Sequence, residues 1–195
     1  METTIEMNTT ATIEQDKAML VELINEHKAT KTFAPQLYVT SWKRYNEGSL
    51  EGMWIDLETF SGTEELVDFC EAYLGEGSEI MFSDCDNIPE NLYSEDYDEE
   101  LLDTLFEFIE LDKDEQDIVE AYWEYVDDGK HDLGDIIHSL AYHGDPTDFY
   151  DDLAEREFEE ERNFSIWDYF DYDKWYEECR HNYYEAGEYV FNVYC

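Results

Sequence analysis

Leu37-Tyr38-Val39-Thr40, Tyr45-Asn46-Glu47-Gly48 and Met53-Trp54-Ile55-Asp56-Leu57 are the stretches on which the fold turns. The first and last are rich in β-branched and aromatic residues and read as strands, while Asn46 and Gly48 mark a turn between them. A helix follows. Ser61 and Glu64 stand at capping-box spacing, Leu66, Phe69, Cys70, Tyr73 and Leu74 share one face, and Gly75 is a C-terminal stop. Glu79-Ile80-Met81-Phe82-Ser83 reads as a third strand, so a small three-stranded sheet covered by one helix is expected.

Upstream, residues 1–34 read as an extension with one amphipathic helix, whose stripe is Ile13, Leu20, Leu23, Ile24 and His27. Pro35 separates it from the first strand. Downstream, from Asp98, the apolar period becomes helical. Leu101, Leu102, Leu105, Phe106 and Ile109 form one stripe, and Ile118, Val119, Tyr122 and Val126 a second. Leu133, Ile136, Ile137 and Leu140 form a third. Asp127-Asp128-Gly129 and Gly144 are short breaks, which predicts antiparallel packing. Asp145-Pro146 is a strong helix start, a capping residue followed by proline at the first helical position. Phe149, Leu153 and Phe158 are its expected apolar face. An aromatic stretch, Ile166-Trp167-Asp168-Tyr169-Phe170, precedes a short helix around Trp175 and Cys179. Glu185-Ala186-Gly187-Glu188 then reads as the turn of a hairpin. The expected class is α+β, with a small α/β domain at 35–97, a helical domain at 98–143 and a helix-plus-hairpin domain at 144–195.

Charge carries the functional signal. Among 195 residues, 53 are Asp or Glu and 11 are Lys or Arg, a net charge of -42, yet 43% are hydrophobic and 16% aromatic. Acidic chains with few aromatics stay disordered; this one has the means to fold. A folded polyanion can occupy a site that another polyanion fills. Duplex DNA carries one charge per roughly 1.7 Å of axis, so 42 charges correspond to about 70 Å, or about 21 base pairs.

The acids also recur at helical spacing. Asp103, Glu107 and Glu110 lie opposite the first leucine stripe; Asp117, Glu120, Glu124 and Asp127 follow in the next helix, and Asp148, Asp152, Glu155 and Glu159 after Asp145-Pro146. Residues three and four apart are surface neighbours with Cβ atoms about 5–6 Å apart. Like charges there cost a helix roughly 0.2–0.5 kcal/mol per pair. The eleven residues are the candidate phosphate-mimicking surface. The competing reading is a solvated acidic face of the kind a salt-adapted protein carries.

Other chemistries find little support. The histidines His27, His131, His138, His143 and His181 form no HExxH, and Asp84-x-Asp86 and Asp112-x-Asp114 lack the glycine of a calcium loop. There is no GxGxxG, Walker loop or GxSxG, so neither an enzyme nor a cofactor or metal site is expected. Cys70, Cys85, Cys179 and Cys195 form no CxxC pair and read as reduced thiols of a cytoplasmic protein. No apolar run reaches the roughly 18 residues of a membrane span, and the first residues lack the order of a signal peptide. Anionic membranes and nucleic acids should repel the chain; its partners should be basic.

Pro35-Gln36-Leu37-Tyr38-Val39, followed by the YNxGxxxGxW pattern at Tyr45, Asn46, Gly48, Gly52 and Trp54, resembles the opening of the ArdA antirestriction proteins. Glu79 to Glu95, with Asp84, Pro89 and Glu95, is similar to the family's next segment, and Tyr169-Phe170-Asp171-Tyr172 to its C-terminal region. Glu177-Glu178-Cys179 departs from the Arg-Asp pair that the family tends to carry there. The resemblance covers about residues 35–195. It implies an elongated, curved, three-domain chain that forms homodimers and presents carboxylates as a bent B-DNA surface. It implies, too, a target, the DNA-binding groove of the methyltransferase core of type I restriction-modification enzymes, and a role in protecting incoming DNA of mobile elements in a bacterial host. The charge argument alone leaves open an acidic chaperone, a cation buffer, or an inhibitor of another basic DNA-binding protein. The aromatic residues of 144–195 make that region the candidate dimer contact.

Overall fold

The computed structural model describes residues 17–126, 132–158 and 171–193. The expected aromatic stretch 166–170, the break at 127–129, and Ile13, His131 and Cys195 lie outside them. The class is α+β: among the described residues there are eight α-helices and two three-stranded antiparallel sheets. The chain divides into two compact units, Met1–Glu110 and Leu111–Cys195.

In the first unit, strands β1 (Gln36–Ser41), β2 (Met53–Asp56) and β3 (Ile80–Asp86) pair in the order β2-β1-β3. Helices α1 (residues 17–27), α2 (Trp42–Asn46), α3 (Thr63–Leu74) and α4 (Glu99–Glu110) complete it. Leu37, Val39, Ile55, Leu57, Leu66, Phe69, Met81 and Phe82 are buried; Leu37 and Val39 share one face of β1, whereas the consecutive Met81 and Phe82 point to opposite faces of β3, so both faces of the sheet are covered there. Leu102 and Leu105 of α4 line one small cavity together with Leu37, Phe82 and Leu92. Phe108, absent from the expected stripe, is buried as well.

The β1–β2 turn explains the glycines of the YNxGxxxGxW pattern. Gly48 has φ +76, a left-handed conformation that costs other residues about 1–2 kcal/mol. Gly52 has a different reason. A Cβ there would stand 2.4 Å from Tyr38 Cε1 and 2.6 Å from the Val39 carbonyl oxygen. The Tyr38 hydroxyl donates to the Leu50 carbonyl at 2.9 Å, and its ring meets Trp54 edge-on at 5.5 Å, so the tyrosine is pinned over the glycine.

Helix α1 is joined to this unit through His27, which is 2% exposed, stacked on Phe60 at 4.0 Å and edge-on to Phe69. The Thr59 hydroxyl donates to the Asp56 carbonyl at 2.6 Å, so it accepts from His27 Nδ1 at 2.9 Å. Lys28 then bridges to Ile55 and the Ala29 amide donates to the Trp54 carbonyl, which extends the sheet beyond β2. The capping box expected from Ser61 and Glu64 is not formed. Gly62 is the N-cap of α3, and the Glu65 carboxylate, one residue further on, accepts from the Ser61 amide and hydroxyl at 2.7 and 2.8 Å.

The second unit holds α5 (Lys113–Tyr125), α6 (Leu133–Ser139), α7 (Pro146–Glu157) and α8 (Tyr172–Cys179). Its sheet comprises β4 (Leu140–His143), β5 (Tyr183–Ala186) and β6 (Tyr189–Asn192) in the order β4-β6-β5. The hairpin expected at Glu185–Glu188 is present, with Gly187 at φ +63. The helix expected through Leu140 ends one residue earlier, and Leu140 opens β4 opposite Phe191. The cause is non-local: Asn192 Nδ2 donates to the Ser139 carbonyl at 3.1 Å, and β6 offers its free edge to the chain that follows. Asp145 caps α7 through the Thr147 amide, with Pro146 at its first turn. Phe149, Tyr150, Ala154, Trp175 and Val190 form the core beneath.

Substituting Gly52→Ala should destabilise the first unit by about 1–3 kcal/mol, the range for overpacking against a fixed neighbour. Gly48→Ala should cost about 1–2 kcal/mol through backbone strain alone. Urea unfolding followed by tryptophan fluorescence measures both, and an unchanged midpoint for Gly52→Ala would contradict the packing described.

Candidate target-binding surface

An amphipathic helix anchored on its apolar side has its polar side fixed in space. On α4, Leu102, Leu105 and Phe108 are buried, and Asp103, Glu107 and Glu110 are exposed on the other face. Glu99 and Glu100 open the helix, and α4 carries no Lys or Arg. The same holds for α3, where Glu64, Asp68 and Glu71 stand exposed in steps of four and three. The sequence reading missed α3 as part of the surface, although the same spacing was there to be read.

In the second unit, Glu120 and Glu124 of α5 are exposed opposite Val119, Tyr122 and Trp123. Asp117 differs from them. It is half-buried, and its Oδ1 lies 2.6 Å from Lys113 Nζ, so its charge is largely compensated. On α7, Asp148, Asp152 and Glu155 are exposed, opposite Phe149, Tyr150 and Ala154. Asp127 and Glu159, expected to continue these rows, lie outside the described residues. Helix α8 is of another kind: Lys174 approaches Glu178 at 3.9 Å and Arg180 approaches Glu177 at 3.5 Å.

The ends of the helices are informative. Acids in a first turn are favoured by the helix dipole, and Glu64, Glu99 and Asp114 are placed so. Acids in a last turn are disfavoured, by about 0.3–1 kcal/mol each. Yet Glu71, Glu110 and Glu124 stand there, and the last turns of α3, α4 and α5 contain no basic residue. Stability of the isolated helices does not explain that placement.

The negative field is legible in neighbouring groups. Partial burial raises the Tyr97 phenol, and the carboxylates of Glu99, Asp103 and Asp98 raise it further. The Tyr189 phenol is raised by burial and then by Asp117, Glu188 and Asp114. Tyr172 is pushed up to about 12 by burial, with its hydrogen bond to Asp151 adding to the shift. The Cys85 and Cys179 thiols are raised by burial first and by flanking acids second, and burial alone holds Cys70 at about 12. Cys70, Cys85 and Cys179 are free thiols.

Among the described residues no group of His, Cys, Asp and Glu is arranged to hold a metal ion, and no helix is long and apolar enough to cross a membrane. The His138 ring, adjacent to Asp135 in the pattern of the helix, instead contacts the Gly134 carbonyl through Nδ1 at 2.6 Å. What these elements offer, in each unit, is exposed carboxylates on a folded scaffold. The profile of the ArdA antirestriction proteins matches residues 37–191, and the chain belongs to that family. Neither the curated proteins nor the solved structures yielded a match. It is therefore an antirestriction protein, a class that acts on restriction-modification enzymes.

A phenol whose folded value is raised contributes stability that is complete below the unfolded value near 10 and is lost as pH climbs through the raised one. In an alkaline titration the folded chain should therefore form tyrosinate at higher pH than the chain in urea, with unfolding setting in above about pH 10. Coincident tyrosinate curves in the two states would show that the phenols are not perturbed.

Proposed function

We propose that this antirestriction protein mimics bent B-form DNA and competes for the DNA-binding groove of the methyltransferase core of type I restriction-modification enzymes. The observation that carries the reading is the exposed, uncompensated acid rows of α3 and α4 in the first unit, and, in the second unit, the exposed Glu120 and Glu124 on α5 and Asp148, Asp152 and Glu155 on α7. A groove that binds duplex sets basic side chains against phosphates, and much of that affinity is independent of sequence. Carboxylates at a repeat of about 5–6 Å can meet the same side chains. They present no base to methylate and no phosphodiester to cut.

A target that bends its DNA by 40–90° over 20–30 base pairs spends on the order of 1–6 kcal/mol doing so. A protein surface of suitable shape escapes that cost, and 1.4 kcal/mol is a tenfold advantage. Inhibition of this kind is stoichiometric and needs no turnover. The protein acts in the bacterial cytoplasm, where the restriction enzyme meets incoming mobile-element DNA. Two copies as a homodimer would extend the mimic to about 42 base pairs by the same count of charge.

The test is displacement of labelled duplex from a type I methyltransferase across a range of salt. Displacement should weaken steeply as the Debye length falls from about 10 Å at 0.1 M toward 3 Å at 1 M. Glu124→Gln should change inhibition less than about fivefold, since an exposed ion pair contributes about 0.2–1 kcal/mol. Changing Asp103→Asn, Glu107→Gln and Glu110→Gln together should cost clearly more than any one of them. Absence of displacement at every salt concentration would overturn the reading in favour of an acidic chaperone or an inhibitor of another basic DNA-binding protein.

A further inference from the structure

Beside the acid row of α3, which ends at Glu71, the first unit holds a recess of about 760 Å³. Trp42 and Tyr97 line it together with Val67 and Ile80, and Glu71, Glu79 and Asp96 supply three carboxylates. None of the residues that line it is basic. Arg44 of α2 lies over the Tyr73 ring at 5.3 Å and does not line the recess. The indole of Trp42 is oriented: its Nε1 donates to Asp96 Oδ1 at 3.0 Å, it lies T-shaped to the Tyr45 ring at 5.7 Å, and the Trp42 backbone amide donates to the Glu79 carbonyl at 3.2 Å. Tyr97 is 41% exposed, so part of its ring is open to a partner.

Flat aromatic faces beside carboxylates suit one side chain above others. A guanidinium is planar, stacks on an aromatic ring through its face and donates in its own plane to carboxylate oxygens. An ammonium makes the ionic contact without the stacking geometry. A recess of this size, within the roughly 300–1,000 Å³ of ligand pockets, accommodates an arginine side chain with the chain that bears it. We infer that the recess between α2, α3 and β3 is an arginine-binding groove, and that its occupant is an arginine projecting from the DNA-binding surface of the target enzyme. The inference rests on the competitive reading above and adds to it. DNA-reading proteins direct arginines both to phosphates and to the acceptor edges of guanine. The exposed rows stand in for the first kind of contact. The recess, whose carboxylates stand beside flat rings, takes the second.

The tryptophan indole N–H resonances of the 15N-labelled protein report on the groove directly. N-acetyl-arginine amide should shift the Trp42 signal saturably. N-acetyl-citrulline amide, equal in shape but uncharged, should bind at least about tenfold more weakly, and N-acetyl-lysine amide should be weaker than arginine. The E71Q/E79Q double variant, altered only at exposed positions, should keep the free indole spectrum and lose about tenfold in arginine affinity. No shift, an equal shift of every indole, or equal binding of the citrulline compound would overturn the site. In the methyltransferase competition, E71Q/E79Q should inhibit less well than E64Q/D68N, which removes the same charge from the open face of α3. Equal losses would show that no target arginine enters the groove while leaving the competitive reading intact. Failure of the unaltered protein to displace DNA would instead remove the target as the source of the arginine.

Discussion

Like-charge repulsion between carboxylates at helical spacing is the constraint to which the rest of this protein answers. Each helix that carries a row of acids would be weakened by it in isolation. Here each is fixed from behind by apolar side chains: Leu102, Leu105 and Phe108 under α4, Val119, Tyr122 and Trp123 under α5, Phe149, Tyr150 and Ala154 under α7. Burial of such side chains, at about 1.5–3 kcal/mol each, outweighs several repulsive pairs. The large aromatic content of an otherwise very acidic chain follows from that balance.

Four of the cations are used locally. Lys31 lies 2.5 Å from Glu58 and 3.6 Å from the buried Asp56, Lys113 pairs with Asp117, and Lys174 and Arg180 pair with Glu178 and Glu177 of α8. Asp56 is 2% exposed and also caps the turn that follows β2, so Lys31 sits where an uncompensated charge would be costly. The exposed acids of α3 and α4 receive no such partner from their own helices. Charge is thus compensated where folding needs it and left open where a basic partner could reach it.

Aromatic and carboxylate groups meet in two ways. In the second unit, Glu185 accepts from the Tyr150 and Tyr176 hydroxyls at 3.1 and 3.3 Å, and Glu157 accepts from the Trp175 indole at 2.9 Å; these acids are tied into the core. In the first unit, the recess beside Trp42 leaves Glu71 and Glu79 exposed at its rim. The same residue types make an internal clasp in one place and an open acceptor site in the other, according to whether a hydroxyl or indole already fills the carboxylate's geometry.

Much of this was legible in the residues alone. Strand patterning at Leu37–Thr40 and Met53–Leu57, the Asp145-Pro146 helix start, the Gly187 turn and the rows of acids are local signals, because period and capping act within a few residues. What remained hidden depended on contacts distant along the chain. Leu140 continues a helical stripe in sequence but forms a strand, since Phe191, about fifty residues away, pairs with it and Asn192 donates to the Ser139 carbonyl beside it. Asp117 matched its row yet is held by Lys113, and Gly52 is required by the ring of Tyr38 folded over it. Composition and spacing determined that the chain is an anionic, folded, two-faced scaffold; only packing in three dimensions decided which carboxylates stay open, because compensation and burial depend on neighbours that the order of residues does not place.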